Sequence, residues 1–391
     1  MLFQSSTSCL DTMFEYQERR RFFAQTSGEM EDLAALELSE LGAENIRAAY
    51  RGLYFEAQRE TLYRINYRAR ILSRVLAPLK TFHCHNTDYL YRQVKGLEWS
   101  SFFTPHHTFA VFSTVSHSAI KHSRYAALCV KDGIADHFRE RFRSRPSVRK
   151  EDPDLWINLH IENNLATLSL DTSGGSLHRR GYRVETVEAP MQENLAAAIV
   201  RIAAWDGEKK LFDPFCGSGT LLAEALMDYC RIPAGFLRKR FGFEHLPDFD
   251  RALWHRVKGE EKQRIRPLPE SLIVGSDVSP AAVKAGRANL QKLPSGDKIA
   301  LSIMDFRDIP NLGDAVVVCN PPHGIRLHSG INISQFYKML GDFFKQRCKS
   351  STIFVYVGNR ELIPCIGLKP SWKRALPSGG LDGRLVKFEM Y

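Results

Sequence analysis

The sequence predicts an α/β protein, with a doubly wound and mostly parallel sheet in its C-terminal half and an α+β N-terminal half. Three observations predict it. Apolar strand-like segments alternate with helical ones from residue 189 onward, as in stacked βαβ units. Within that half, Lys209 to Thr220 passes from an apolar strand through a glycine turn into a helix. Residues 21 to 80 run strand, helix, strand, strand, helix, strand, the order of a split βαβ unit.

The chain has 391 residues, enough for two or three domains. At 44% hydrophobic and 25% charged it is an ordinary globular composition. The formal net charge of +10 implies a polyanionic partner such as nucleic acid; a soluble enzyme that is merely basic is the alternative. Eight cysteines without a Cys-x-x-Cys pair exclude a disulfide scaffold and predict a reducing, cytoplasmic setting. His83-Cys84-His85 lacks a second ligand pair, and neighbours in an extended segment point opposite ways, so no metal is expected. No apolar run reaches membrane-span length, and the polar first eighteen residues do not read as a secretory signal.

In order, residues 1–20 read as a loosely ordered arm. Arg21 to Thr26 is a strand, and Glu29 to Leu41 a helix closed by Gly42. Ile46 to Tyr50 and Leu53 to Glu56 flank Arg51-Gly52, a tight connection. Thr61 to Ala69 is helical and Ile71 to Leu79 ends a ferredoxin-like unit over 21–80. A second unit covers 81–171. Thr108 to Val115 alternates as a strand, and Ala119 to Phe142 predicts a long helix interrupted or bent near Gly133. Leu155 to Ile161 and Leu165 to Leu170 predict a hairpin turning at Glu162-Asn163-Asn164. Between helix and hairpin, Arg139, Arg141, Arg143, Arg145, Arg149 and Lys150 stand against Glu140 alone, with Phe138 and Phe142 among them. The segment suits phosphate contacts; a solvated helix end, where cations complement the dipole, is the alternative. Asp171 to Arg183, rich in glycine, serine and arginine, predicts a mobile, cation-edged linker over 172–188.

Residues 189 to 196 open a helix running to Trp205. A long insert, Ile232 to Leu268, follows the glycine turn and its helix. Ser271 to Ser276 is a strand ending in Asp277, followed by the helix Ala281 to Leu290. Lys298 to Met304 ends in Asp305, and Ala315 to Cys319 ends in Asn320. Ser334 to Cys348 is helical, Thr352 to Val357 a strand, and Trp372 to Tyr391 a hairpin. Ligands of doubly wound sheets bind at the carboxyl ends of strands. Four of those ends here carry Asp213, Asp277, Asp305 and Asn320, all short acceptors.

The turn Asp213-Pro214-Phe215-Cys216-Gly217-Ser218-Gly219-Thr220 narrows the ligand. Gly217 and Gly219 permit φ > 0 and close approach, and the helix start offers free N–H groups. Asp213 beside the turn disfavours a pyrophosphate and suits an ammonium or a hydroxyl. S-adenosylmethionine (SAM) carries an amino group, a carboxylate and a sulfonium, and no phosphate. Asp277 follows Gly219 by 58 residues, where a dinucleotide fingerprint expects about 20, and Leu222 replaces the third glycine. Asn320-Pro321-Pro322-His323 suits methylation of an exocyclic base amine, whose lone pair is delocalised into the ring. Prolines offer no N–H, so the Asn320 oxygen and the Pro321 carbonyl can each take one amine hydrogen. His323 can stack on the base, with a charge that depends on pH.

These two motifs resemble the amino-methylating branch of the class I SAM-dependent methyltransferases. Asn320-Pro321-Pro322-His323-Gly324-Ile325-Arg326-Leu327 resembles that family's Asn-Pro-Pro-Tyr-Gly-x-Arg-Leu. The segment Asp171 to Arg183 closely resembles the one joining a THUMP module to its catalytic domain, and residues 21–171 match that module in element order. From the linker onward the chain resembles the bacterial THUMP-containing guanine-N2 RNA methyltransferases, most of all those acting on 23S ribosomal RNA. The resemblance implies a Rossmann-like class I methyltransferase domain over 189–391, SAM as cofactor and RNA as partner. It implies transfer to guanine N2 in a flipped-out nucleotide of 23S rRNA, with tRNA as the alternative substrate. It assigns Asn320, Pro321, Pro322 and His323 to catalysis. It assigns Asp213, Phe215, Gly217, Gly219, Thr220, Asp277, Asp305 and Asn320 to the cofactor. Of these, Asp277 takes the ribose hydroxyls, Asp305 the adenine amino group, and Asp213 the region of the cofactor's amino group. RNA contact falls to Arg139, Arg141, Arg143, Arg145, Arg179, Arg180 and Arg326, with no metal and no covalent intermediate. Cysteine attack on a pyrimidine is set aside: Cys216 lies in the cofactor turn, and Cys319 points away from Asn320 on an apolar strand. Two departures, His323 for the family's tyrosine and Gln192 for its lysine, motivate a further alternative, a non-enzymatic RNA-binding protein with a degenerate site.

Overall fold

Two sheets carry the chain. The computed structural model describes residues 13–185, 190–323 and 332–391; Gly324 and Arg326, the end of the linker and the first twelve residues lie outside the described residues. The first sheet begins after α1 (Glu15–Arg19) with β1 (Arg21–Gln25), α2 (Glu31–Glu40), β2 (Glu44–Ala49), β3 (Gly52–Glu56), α3 (Arg59–Arg68) and β4 (Arg74–His83). It continues through α4 (Thr87–Lys95), β5 (Thr108–Ser116), α5 (Ser123–Phe142), β6 (Ser147–Val148), β7 (Leu155–Glu162) and β8 (Leu165–Asp171). All eight strands form one sheet, ordered β2-β3-β1-β4-β8-β7-β5-β6. The ten-residue β4 makes it continuous: Val75 pairs with Ala24 of β1, and Phe82 with Ala166 of β8. A boundary between 80 and 81 would cut that strand. The β7–β8 turn has Asn163 at φ 50° and Asn164 at φ 59°, both left-handed, as a type I′ hairpin requires.

The second half contributes α6 (Glu193–Ala203), β9 (Lys210–Asp213), α7 (Thr220–Tyr229), α8 (Arg251–Gln263), β10 (Ile273–Asp277) and α9 (Pro280–Leu290). Then come β11 (Ala300–Ile303), β12 (Ala315–Cys319), α10 (Ile333–Arg347), β13 (Thr352–Val357), β14 (Trp372–Ala375) and β15 (Arg384–Glu389). The sheet order is β11-β10-β9-β12-β13-β15-β14, parallel except where β15 runs against β13 and β14. The winding reverses between β9 and β12, which places the ends of β9, β10 and β12 side by side. Among the described residues no helix is long and apolar enough to cross a membrane.

Several expectations are corrected. Residues 13–20 are not a loose arm: Phe14 and Tyr16 are buried, and the Glu15 carboxylate accepts from Thr81 N at 2.8 Å and Thr81 Oγ1 at 2.9 Å. The helix α5 runs unbroken through Gly133. That glycine serves close packing, since a Cβ there would sit 3.0 Å from Val94 Cγ1 and 3.2 Å from the Tyr91 carbonyl on α4. Phe138 is fully buried in the core, and only Phe142 stays at the surface. The helix expected from residue 189 begins at Glu193, because Gln192 is extended and Arg183 takes the Met191 carbonyl.

As far as residue 185 the linker is a packed strut, not a mobile hinge. Thr172 and Ser173 are fully buried, and Leu177 and Tyr182 nearly so. Arg180 is 1% exposed, so its assignment to RNA contact is corrected. Its Nε donates to Glu224 Oε1 of α7 at 3.2 Å, Nη1 to the Leu177 carbonyl and Nη2 to the Arg70 carbonyl, both at 2.7 Å. A guanidinium out of water needs this full set of partners.

The insert between α7 and β10 locks the strut in place. Trp254 stands edge-on to Tyr63 and Tyr67 of α3 and to Phe241 and Phe243, while Tyr63 stacks on Phe243 at 4.5 Å. Glu261, fully buried, accepts from Arg64 Nε at 3.2 Å and Arg68 Nη1 at 2.9 Å on α3. Arg238 donates to the carbonyls of Ser173, Ser176 and Arg179. Position 242 admits only glycine, since a Cβ would fall 1.9 Å from the Asp171 carbonyl.

Candidate active site

A cavity of about 860 Å³ opens at the reversal point of the second sheet. Asp213, Phe215, Gly217, Thr220, Asp277, Asp305, Asn320, Pro321, Pro322 and His323 all line it. Gly219 does not line it; at φ 82° it is the N-cap that turns the chain into α7. Gly217, at φ 51°, has nothing within 4 Å of where a Cβ would stand, so a ligand can approach the turn closely.

The strand tips are tied to one another. Asp277 Oδ2 accepts from Gly217 N and Oδ1 from Ser279 N, each at 2.9 Å. Asp213 is 1% exposed and accepts from Phe215 N at 3.0 Å. Burial, with the Asp277 charge adding and the Phe215 N–H opposing, pushes its carboxyl up to about 8. Phe215 packs on Phe306 at 5.2 Å and Phe336 at 5.8 Å, forming an aromatic wall. Asp305 is engaged by its neighbour: Arg307 donates to it from N at 2.9 Å, Nε at 2.9 Å and Nη2 at 2.8 Å. These bonds hold its carboxyl below the usual range.

At the tip of β12, Asn320 Oδ1 is buried and makes no hydrogen bond among the described residues. An orphaned buried acceptor costs about 1–3 kcal/mol, which a ligand's N–H would recover. His323 Nδ1 accepts from Gly358 N at 3.0 Å, so a neutral ring carries its proton on Nε2. The imidazole stands edge-on to Tyr356 at 5.8 Å, and the Tyr356 hydroxyl donates to the Leu376 carbonyl. Burial raises the thiols of Cys216 and Cys319 well above their ordinary range, with the Asp213 charge adding to both. Neither is poised as a nucleophilic thiolate.

Sequence reasoning passed over Asn289, buried on α9. Its Nδ2 donates to the Ser218 carbonyl at 3.1 Å and the Glu185 carbonyl at 2.9 Å. Its Oδ1 accepts from Val184 N at 2.8 Å and Glu185 N at 3.0 Å, tying strut to turn. An asparagine at a core position of an otherwise amphipathic helix was the only available signal.

The predicted RNA contacts divide. Arg139 pairs with Asp136 at 2.7 Å and Arg141 with Glu98, yet both side chains stay half exposed. Arg143 and Arg145 are exposed next to Phe142 and form no ion pair among the described residues. Arg179 is exposed on the strut, whereas Arg180 is interior.

The residues present fit SAM: strand-tip acceptors, clearance over the glycine turn, an aromatic wall and an orphaned acceptor beside it. Comparison with known proteins agrees. Residues 180–387 match the RMKL-like methyltransferase domain, 84–171 the THUMP domain and 21–76 the RlmL ferredoxin-like domain. The protein slr0064 of Synechocystis sp., provisionally named an RNA methyltransferase, is 40% identical over 95% of this chain and 97% of its own. The ribosomal RNA large subunit methyltransferase K/L of Syntrophotalea carbinolica is 38% identical over 95% of this chain. The chain spans about half, 53%, of that relative's length. The crystal structure of SMU.472, provisionally named a methyltransferase and complexed with SAH, superposes with a TM-score of 0.82 at 27% identity, over 95% of this chain and 98% of its own.

Proposed function

The chain belongs to the RMKL-like methyltransferase family, with THUMP and RlmL ferredoxin-like domains before its catalytic domain, and we propose that it methylates the exocyclic N2 of a guanine in 23S ribosomal RNA. It is a SAM-dependent RNA methyltransferase. SAM, when bound, supplies an electrophilic methyl group on a sulfonium.

The observation that carries the amine reading is the buried, unpartnered Asn320 Oδ1 at the head of a turn with two prolines. Asn320 Oδ1 and the Pro321 carbonyl each hold one hydrogen of the target amine. Its nitrogen lone pair is thereby turned out of conjugation and toward the donor, and the proton that the nitrogen sheds on methylation leaves to water. His323 stacks on the extruded base and fixes its plane. Asp277 accepts from the ribose hydroxyls, and Asp213 faces the donor's ammonium. Phe215, Gly217, Gly219 and Thr220 shape the cofactor's bed, with Asp305 at the adenine end. Catalysis rests on positioning. Arg139, Arg141, Arg143, Arg145 and Arg179 bind backbone phosphates, and Arg326 is assigned with them. Residues 21–171 hold the RNA and 189–391 perform the transfer. The K/L relatives are named for the large-subunit rRNA, which supports rRNA as the substrate.

Purified protein, methyl-labelled SAM and unmodified rRNA and tRNA, assayed side by side, test this by nucleoside mass spectrometry. N2-methylguanosine is expected, and Asn320→Ala should abolish it while SAM affinity stays within a few-fold. Label in 7-methylguanosine or an adenine product overturns the base assignment; label in tRNA alone moves the substrate.

A further inference from the structure

We propose that Arg183 builds the subsite for the cofactor's carboxylate, by fixing the Thr220 hydroxyl as a donor into the cavity. The proposal rests on SAM occupying that cavity. Arg183 Nη2 donates to Thr220 Oγ1 at 3.2 Å and to the Met191 carbonyl at 2.9 Å. Glu193 Oε1 pairs with the same Nη2 at 3.0 Å and lies off the cavity lining, so it aims the guanidinium from behind. Thr220 is 6% exposed, opens α7 and lines the cavity.

A hydroxyl oxygen that accepts from a guanidinium turns its own proton elsewhere. The guanidinium also polarises it, which strengthens it as a donor. Of the other lining side chains near the turn, Asp213, Asp277 and Asp305 are acids, and Arg307 is spent on Asp305. The Ser218 hydroxyl has no guanidinium behind it among the described residues, so Thr220 is the polarised donor there. Gln192, at the entry of α6, brings no charge. An amino-acid head therefore settles with its carboxylate at Thr220 and its ammonium toward Asp213. Arg183 is a positioning residue, and it also joins the RNA-side strut to both walls of the cofactor site.

The test is calorimetry with S-adenosylhomocysteine and with 5′-methylthioadenosine, which keeps the nucleoside and thioether but lacks the amino-acid head. In Arg183→Gln and in Thr220→Val, S-adenosylhomocysteine should bind at least about tenfold more weakly, the scale of a charge-assisted hydrogen bond. Methylthioadenosine should stay within twofold, and Thr220→Ser should restore the head-group preference. Equal losses for both ligands, or no loss for S-adenosylhomocysteine, overturn the proposal. If Arg183→Gln does not fold, the Thr220 pair decides alone. A native protein that binds neither ligand overturns the SAM reading and the subsite with it.

Discussion

Gly358 donates its backbone N–H to His323 Nδ1 at 3.0 Å, and a Cβ at position 358 would lie 2.7 Å from the imidazole. The ring proposed to stack on the target base is thus aimed by a backbone group just past the end of β13. Gly358→Ala should displace it and slow methyl transfer about 10–100-fold, the worth of one base-stacking contact. Affinity for S-adenosylhomocysteine should stay within twofold, since position 358 lies off the cofactor turn. Single-turnover rates alongside calorimetry check both.

His323→Tyr enlarges the stacking face and removes the acceptor for the Gly358 N–H. Activity should remain within about tenfold of native, and above that of His323→Ala, if stacking is the main role. Equal losses in the two variants would show that the Gly358 hydrogen bond matters more than the ring.

Asp213 makes folding and cofactor binding depend on pH. Its carboxyl loses its proton near 3.8 in the unfolded chain and near 8 in the folded one. Between those values the folded state holds the extra proton. This contribution to stability is full below about pH 4 and is lost as pH rises through 8. An ammonium beside Asp213 favours the carboxylate, so cofactor binding at pH 7 should release a proton, with affinity rising toward pH 8. Calorimetry in buffers of different ionisation enthalpy reads the release, and Asp213→Asn should eliminate it.

Arg143 and Arg180 should behave in opposite ways. Arg143→Ala with Arg145→Ala should lower the salt slope of RNA binding by about two and leave S-adenosylhomocysteine binding unchanged. Arg180→Ala should instead destabilise the fold by about 3–5 kcal/mol, because Glu224 is left buried without its partner. Filter binding across a salt series and thermal melts separate the two.

Trp254→Ala should cost about 3–5 kcal/mol by emptying the aromatic cluster between insert and α3. Calorimetric unfolding should then split into two transitions as the two halves lose their shared core. A single transition at the native midpoint would show that the strut alone couples them.

Much of the candidate site was legible because its signals are local. An apolar strand followed by a short acceptor can be read one segment at a time, which is how Asp213, Asp277, Asp305 and Asn320 were picked out. Two glycines that need positive φ mark their own turn. The strut was misread for the converse reason. Glycine, serine and arginine compose a solvated hinge and a packed connection equally well, and the difference lies in what covers them. The partner of Arg180 is 44 residues away in the sequence, and the carbonyls that Arg238 caps are about 60 away. The continuity of β4 across the expected boundary had the same origin, since its two pairing edges come from β1 and from β8.

Period and turn chemistry, both properties of neighbouring residues, dictated the doubly wound half, the acceptors at its strand ends and the hairpin at Asn163-Asn164. Whether an arginine meets solvent or a buried carboxylate, and whether Asn320 keeps a lone pair open toward the cavity, was decided only when distant segments met. Burial and pairing energies belong to the folded surface as a whole, and no stretch of chain carries them alone.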